Sequence, residues 1–291
     1  MSFVFRIVKN VSKISSRVPE RILITGSTGF IGSHFAELMR KDSKYEVVPF
    51  IGDITRKTDI VRNLRDIDTV ANFAALTYLP PSWDSPGAYA NVNYLGVVNL
   101  LENHSMFKRF VQISTSHVYG NQTKFPISLE NVPNPQDPYS IAKFAAEKAV
   151  EAYADKYGFD YLIVRPFNNF GPRQSKDFVI PTFCLQACKN QKIVVRGDTK
   201  REFLFVRDTV QILKNMLDDE RRGLCQISKG ETYRISTIAQ IIASLTNATV
   251  EIAESDRQPD IEKLLGVPFD FPFTDMKEAL SLTLDYYRGR A

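Results

Sequence analysis

The chain has 291 residues, 44% apolar and 11% aromatic, a composition that supports one large core or two modest ones and argues against disorder. Its net charge of +4 is spread thinly, with no dense basic run interleaved with aromatics, which excludes a nucleic-acid groove; no apolar run approaches the roughly 18 to 20 residues of a membrane span. Cys184, Cys188 and Cys225 are odd in number and lack metal-ligand spacing, which implies reduced thiols, a cytoplasmic setting and no structural metal.

Residues 1–19 carry Arg6, Lys9, Lys13 and Arg17 without an acid, and Val4, Ile7, Val8, Val11 and Ile14 share one helical face. This basic amphipathic extension reads first as a helix docked on the core, with an organelle transit peptide or a surface-binding helix as the other readings. Charges interrupt any apolar centre, against a secretory signal. From Glu20 onward, short apolar runs alternate with helical patterns, the rhythm of a parallel sheet with crossover helices. Strands are expected at Arg21–Thr25, Tyr45–Phe50, Thr69–Phe73, Phe110–Ser114 and Tyr161–Arg165, and helices near Phe30–Lys41, Ala88–Asn103 and Tyr139–Tyr157. Beyond about residue 166 the pattern loosens into helices near Pro181–Lys189, Asp208–Leu217 and Ser236–Leu245, with brief strands near Lys192–Val195 and Leu224–Ile227. The expected fold is α/β: a Rossmann-type doubly wound parallel sheet over residues 20–166, then a smaller α/β substrate lobe over 167–291 with a discontinuous boundary. A ligand cleft is expected between the two.

Gly26, Gly29 and Gly32 lie at spacings of three between an apolar strand and a helix. Glycine there lets backbone approach a pyrophosphate, which the helix N-terminus faces with free N–H groups. Asp53 follows at about the distance where a carboxylate receives the adenosine ribose hydroxyls. It equally suits a cap for a helix starting near Thr55. Arg56 and Lys57 next to it are suited to a 2′-phosphate, so the sequence leaves NAD and NADP both open.

Further along, the fourth strand runs into Thr115-Ser116-His117-Val118-Tyr119-Gly120, and Tyr139 and Lys143 then fall at i and i+4 on one helix face. An ammonium near a phenol stabilises the phenolate and lowers its pKa from about 10 toward neutrality, turning tyrosine into a general base. His117 reads equally as an acid–base group or as a hydrogen-bonding filler beside the pocket. His34 and His104 lie outside every motif and read as surface or packing residues; Tyr78 and Trp83 read as a loop over the pocket, with a core role for Trp83 as the alternative.

These motifs, in this order from about Arg21 to Tyr287, resemble the extended short-chain dehydrogenase/reductases, also called the NAD-dependent epimerase/dehydratase family. They include the Thr25 to Gly32 turn, Asn72-Phe-Ala74-Ala75, Asn93-Tyr-Leu-Gly96, Ser114 to Gly120, Tyr139 with Lys143, Arg165 to Arg173 and Arg201 to Asp208. The resemblance implies a nucleotide-diphosphate-sugar enzyme, NAD as cofactor with NADP possible, and a homodimer through the helices near Ala88 and Tyr139. It makes Tyr139 the base on the sugar C4 hydroxyl, Lys143 its pKa modulator and ribose anchor, and Thr115 the hydroxyl that orients the reacting oxygen. Thr28, Phe30, Ile31, Ile54, Ala74, Ala75 and Asn93 join the three glycines and Asp53 at the cofactor. Ser116, Asn168, Arg201 and Arg257 face the substrate. Two departures stand out. Pro49-Phe50 occupies the place of the usual acid after the second strand, and Ser116-His117 stands where 4,6-dehydratases carry Asp-Glu and decarboxylases Ser-Glu. The expected activity is 4-epimerisation through a transient keto sugar. A dehydratase or decarboxylase using His117, an NADPH-dependent keto-sugar reductase, and a non-catalytic dinucleotide-sensing scaffold are the alternatives.

Overall fold

The structure, a computed structural model, describes residues 19–253 and 265–290; residues 1–18 of the basic extension lie outside it. The first half runs β1 (Glu20–Thr25), α1 (Phe30–Met39), β2 (Tyr45–Pro49), α2 (Lys57–Asn63), β3 (Thr69–Asn72), α3 (Pro81–Asp84), α4 (Pro86–Ala90), α5 (Gly96–Leu101), β4 (Arg109–Ile113), α6 (Pro138–Tyr157) and β5 (Asp160–Pro166). The second runs β6 (Asn169–Phe170), α7 (Val179–Asn190), β7 (Lys192–Arg196), β8 (Lys200–Glu202), β9 (Leu204–Phe205), α8 (Val206–Asp218), β10 (Gly223–Ile227), β11 (Thr232–Arg234), α9 (Ile235–Ser244), β12 (Thr249–Ala253) and α10 (Met276–Arg288).

Six strands form one parallel sheet in the order β10-β5-β4-β3-β1-β2. Successive strand residues point to opposite faces, so an all-apolar strand needs cover on both. Ile22, Ile24, Ala71, Val111, Leu162 and Val164 pack with Phe35 and Met39 of α1 and with Val210, Leu213 and Met216 of α8. Leu23, Val70, Phe110 and Ile163 point the other way, against Ile60 of α2, Val97 and Leu100 of α5, and Ala146, Val150 and Ala154 of α6. Each fully buried Leu, Ile, Val or Phe contributes about 1.5–3 kcal/mol, which makes these two clusters the main stabilisation of the sheet.

The chain leaves β1 for β2 on one side and returns to β3 on the other. That reversal puts a switch point between β1 and β3, where open α/β sheets bind ligands beyond the carboxyl ends of their strands. The strand expected near Leu224–Ile227 in the smaller lobe is instead β10, the sixth strand of the main sheet. The amphipathic α8 before it serves as a crossover helix, and the sheet edge buries Cys225 and Ile227. In the second half of the chain β7 pairs in parallel with β12, beside α7, α9 and α10.

The helix expected over Ala88–Asn103 is broken into α4, a π-helical turn at Asn91–Leu95, and α5. Helix α6 matches its expectation, and its start is fixed locally. Pro138 sits in its first turn, the Asp137 carboxylate accepts from the Ser140 N–H at 2.8 Å, and Gly158 ends it in the left-handed region at φ +76°. This cap sets the rotation at which Tyr139 and Lys143 enter the protein.

Candidate active site

At the switch point the backbone itself forms a cradle. Gly26, at φ +62°, passes so close to the end of β3 that a side chain there would have its Cβ 2.7 Å from the Ala74 nitrogen; a Cβ on Gly32 would lie 2.2 Å from the Gly26 oxygen. Gly29 caps α1 without a side-chain hydrogen bond, and Thr28 and Gly29 are exposed while Phe30 and Ile31 are half-buried. The first-turn N–H groups are therefore open to an anion, and the positive end of the helix dipole favours one. Asn72 accepts from the Thr25 hydroxyl and donates to Gln112 at 2.9 Å, while the Ala74 N–H donates to Thr25 at 3.1 Å. This chain of hydrogen bonds ties the ends of β1, β3 and β4. These features fit a dinucleotide.

Asn93 is almost wholly buried at the π-helical turn and uses its carboxamide on Leu76, accepting from its N–H at 2.8 Å and donating to its carbonyl at 2.9 Å. The extra residue of a π-turn re-aims a side chain, and here it fixes the segment after Ala74 and Ala75. Ile54 is buried under Gly96, and Asp53 is exposed. Asp53 does not cap α2, which begins only at Lys57. One of its oxygens accepts from the Thr55 N–H at 2.9 Å and the Thr55 hydroxyl at 2.8 Å, and these bonds hold its carboxyl below the usual carboxylate range.

One strand further on, Thr115 ends β4 by capping the turn Ser116–Tyr119, its hydroxyl accepting from the His117 N–H at 3.2 Å. The Tyr139 phenol lies close to the same hydroxyl. Burial pushes the phenol up to about 12, and Thr115 pulls it down only partly. Lys143 is buried and donates to the Ile113 carbonyl; burial pushes its ammonium down to about 8, opposed by the charge of Glu147. The His117 ring stands 6.2 Å from the Tyr139 ring, centroid to centroid, and Asn168 lies close to its side chain. Burial holds the imidazole below its ordinary pKa, Asp137 opposes this, and Arg201 adds to it. Asn168 also donates to the Glu202 carbonyl at 3.1 Å. Among the described residues the buried Ser116 hydroxyl has no hydrogen-bond partner, an orphan that a ligand would satisfy.

The structure thus gathers Thr115, Ser116, His117, Tyr139, Lys143, Asn168 and Arg201 into one locality. Arg257 lies outside the described residues. Tyr78 sets its ring edge-on to Phe178 at 5.5 Å, a contact between the loop after β3 and the segment leading into α7. Trp83 is 62% exposed, so the core alternative for it does not hold. His34 is buried and donates to the Pro172 carbonyl at 2.9 Å, and His104 stacks on Tyr157. Sequence reasoning missed Glu147, Ser114 and Arg165 as site residues. The available signal was an acid four residues beyond Lys143, on the face that the tyrosine and lysine already mark as buried. It also missed Glu202, whose carboxylate burial pushes up to about 7 while it accepts from Ser228 and from the backbone of Lys229 and Gly266.

An open parallel sheet with a glycine turn at its switch point and a threonine–tyrosine–lysine group one strand away defines a dinucleotide-dependent enzyme of the short-chain dehydrogenase kind. The chain belongs to the NAD dependent epimerase/dehydratase family, whose profile matches residues 22–235. It is similar to the GDP-6-deoxy-D-mannose reductase of Pseudomonas aeruginosa, with 28% identity over 256 residues covering 81% of this chain and 83% of that one. Among solved structures it is similar to RMD from Pseudomonas aeruginosa complexed with NADPH, with TM-score 0.86, 25% identity, and coverage of 94% and 99%. It is similar as well to the UDP-glucuronic acid 4-epimerase from Bacillus cereus in complex with UDP-glucuronic acid and NAD, with TM-score 0.81, 26% identity, and coverage of 94% and 100%. Relatives of this chain are thus nucleotide-sugar enzymes that use NAD or NADPH. No helix among the described residues is long and apolar enough to cross a membrane.

Proposed function

We propose that the protein is an NAD(P)-dependent nucleotide-diphosphate-sugar 4-epimerase that acts through a transient 4-keto sugar. Gly26, Thr28, Gly29, Phe30, Ile31 and Gly32 receive the pyrophosphate side of the cofactor. Ala74 and Ala75, positioned by Asn93, flank it, and Asp53 and Ile54 border the adenosine ribose. Bound cofactor supplies the acceptor and then the donor of the hydride. Tyr139 removes the proton of the sugar C4 hydroxyl and Thr115 orients that oxygen. Lys143 keeps a positive charge near the phenol, which lowers its pKa from the value that burial alone imposes. Ser116, Asn168, Arg201 and Arg257 hold the sugar nucleotide. One oxygen of Asp53 is free of Thr55 and favours NAD; Arg56 and Lys57 keep NADP as the alternative.

The observation that carries epimerisation is the residue that follows Thr115. Elimination of water across C5 and C6 needs an added acid and base, yet the Ser116 hydroxyl has no acidity in the range of a proton donor. Epimerisation needs only rotation of the keto sugar and return of the hydride to its other face. A second reading, reduction of a 4-keto sugar by NADPH, needs the same residues and is favoured by the similarity to the Pseudomonas reductase. Incubation with a panel of UDP-, dTDP-, GDP- and CDP-sugars, followed by mass and NMR analysis, separates them. Unchanged mass without net cofactor consumption supports the epimerase. Stoichiometric oxidation of NADPH on a keto sugar supports the reductase, and loss of water or carbon dioxide defeats both. Leu95 and Ile141, 47% and 53% exposed at the turn before α5 and on α6, support a homodimer through those helices; a sedimentation mass of one chain would remove it. Three free thiols, two of them buried, suit a reducing cytoplasmic setting.

A further inference from the structure

Beneath the active site lies a charge cluster that the reaction as described does not use. The Glu147 carboxylate is fully buried and is gripped by Arg165, whose Nε donates to its two oxygens at 2.9 and 3.2 Å and whose Nη2 donates at 2.5 Å. The Ser114 hydroxyl donates to the same carboxylate. Arg165 in turn lies over the Tyr119 ring at 4.8 Å, and the Tyr119 hydroxyl donates to Gln226 of β10 at 3.0 Å.

Each partner of Glu147 is a near neighbour of a residue of the site. Ser114 precedes Thr115, Arg165 lies three residues before Asn168, and Glu147 itself is one helical turn beyond Lys143. Three segments from distant parts of the chain therefore meet at one carboxylate. Isolated buried charges are expensive, and a buried ion pair contributes little net stability compared with apolar residues of the same volume, so its retention points to placement rather than to stability. Lys143 is a second buried cation in this region, and Glu147 is the group whose charge favours its protonated form. The other charged or titratable groups around this point are Tyr139 on α6, Asp137 at its cap, His117 and Tyr119 on the turn after β4, and Arg165 on β5. Tyr89 of α4 sets its ring edge-on to Tyr139.

We propose that Glu147 is a positioning residue of the active site, whose buried carboxylate keeps Lys143 a cation and fixes at one point the segments that carry Thr115, Lys143 and Asn168. This rests on the acid–base reading of Tyr139 and Lys143. Lys143 is charged below about 8 and loses its proton as pH rises through that value, so turnover falls on the alkaline side. Removing the negative charge moves that limb to lower pH. A residue with a merely structural role would alter turnover at every pH and leave the limb where it is.

The test follows the Lys143 side chain directly, by NMR titration of the full chain carrying 13C at the lysine ε-carbons, with the signal assigned by its loss in Lys143→Met. In Glu147→Gln the titration falls by ~1 pH unit, the usual effect of one nearby opposite charge, and the alkaline limb of turnover moves with it. Glu147→Asp keeps the charge and therefore a titration close to wild type. If Glu147→Gln does not fold, Arg165→Gln removes the cation that offsets the carboxylate, and the Lys143 titration rises instead of falling. An unmoved Lys143 titration in the charge-removing variants overturns the inference while leaving the catalytic reading intact. Undiminished turnover in Tyr139→Phe, measured alongside, defeats the catalytic reading and the catalytic half of the inference together.

Discussion

The two ends of the candidate site are built from different materials. At the cofactor end, the cradle is backbone: a strand, a glycine turn and a helix N-terminus within one continuous stretch, Glu20 to Met39. At the substrate end, side chains from the turn after β4, from the residues following β5 and from β8 converge although far apart in sequence, with the Asn168 side chain donating to the Glu202 carbonyl and lying close to His117. A backbone site tolerates many side chains but few added carbons, whereas a side-chain site tolerates backbone shifts poorly and is sensitive to each polar group. The catalytic group stands between the two, with Tyr139 and Lys143 local to α6, Thr115 on the turn after β4, and an environment assembled from both halves.

The largest effect is expected where the two ends meet. Tyr139→Phe should lower turnover by roughly two to four orders of magnitude with little change in substrate affinity, the usual contribution of a positioned acid–base group. Steady-state kinetics showing near-wild-type turnover would refute the shared first step. At the backbone end, Gly29→Val should weaken cofactor binding by roughly a hundredfold, equivalent to losing one or two charge-assisted hydrogen bonds. The fold should survive, because the added Cβ meets only the Gly26 oxygen, at 3.2 Å. Gly32→Ala is different in kind: its Cβ would stand 2.2 Å from that oxygen, so the melting temperature should fall together with affinity. Calorimetry and thermal melts separate the two, and equal behaviour of both variants would break the backbone-cradle reading.

Arg201→Met should raise KM for the sugar nucleotide by roughly tenfold to a hundredfold while leaving kcat nearly unchanged, since a charge held on a diphosphate acts equally in the ground and transition states. A fall confined to kcat would move Arg201 from binding to chemistry. His117→Asn should have the smallest effect, within about a few-fold, because epimerisation requires no proton beyond the one Tyr139 holds. A variant that stalls after oxidation, with reduced nicotinamide absorbance and a keto sugar accumulating, would sharpen His117 into the acid–base group of a dehydratase or decarboxylase.

The difference between the two ends also explains what was readable in advance. The turn at Gly26, Gly29 and Gly32 and the pair Tyr139/Lys143 depend on spacing within a single element, and helix α6 begins one residue from its expected start because Asp137, Pro138 and Ser140 cap it locally. The break at Asn91–Leu95 was not readable, because its purpose, the grip of Asn93 on Leu76, depends on a loop from another part of the chain. The place of β10 was hidden for a similar reason. A short apolar strand reads alike in a small lobe and at a sheet edge, and only the docking of α8 against α1 decides between them.

The sequence by itself therefore determined the fold class, the glycine turn between the first strand and helix, the tyrosine–lysine pair on one helix face and the family, all written in local spacing and in the order of motifs along the chain. Tertiary structure alone decided that burial lowers the pKa of His117, that the buried Ser116 hydroxyl has no partner among the described residues, and that Glu147 joins Ser114 and Arg165 beneath Lys143. The physical reason is that charge state and hydrogen-bond partnership depend on burial and on groups brought together across long stretches of chain, and no periodicity or spacing within one element carries that information.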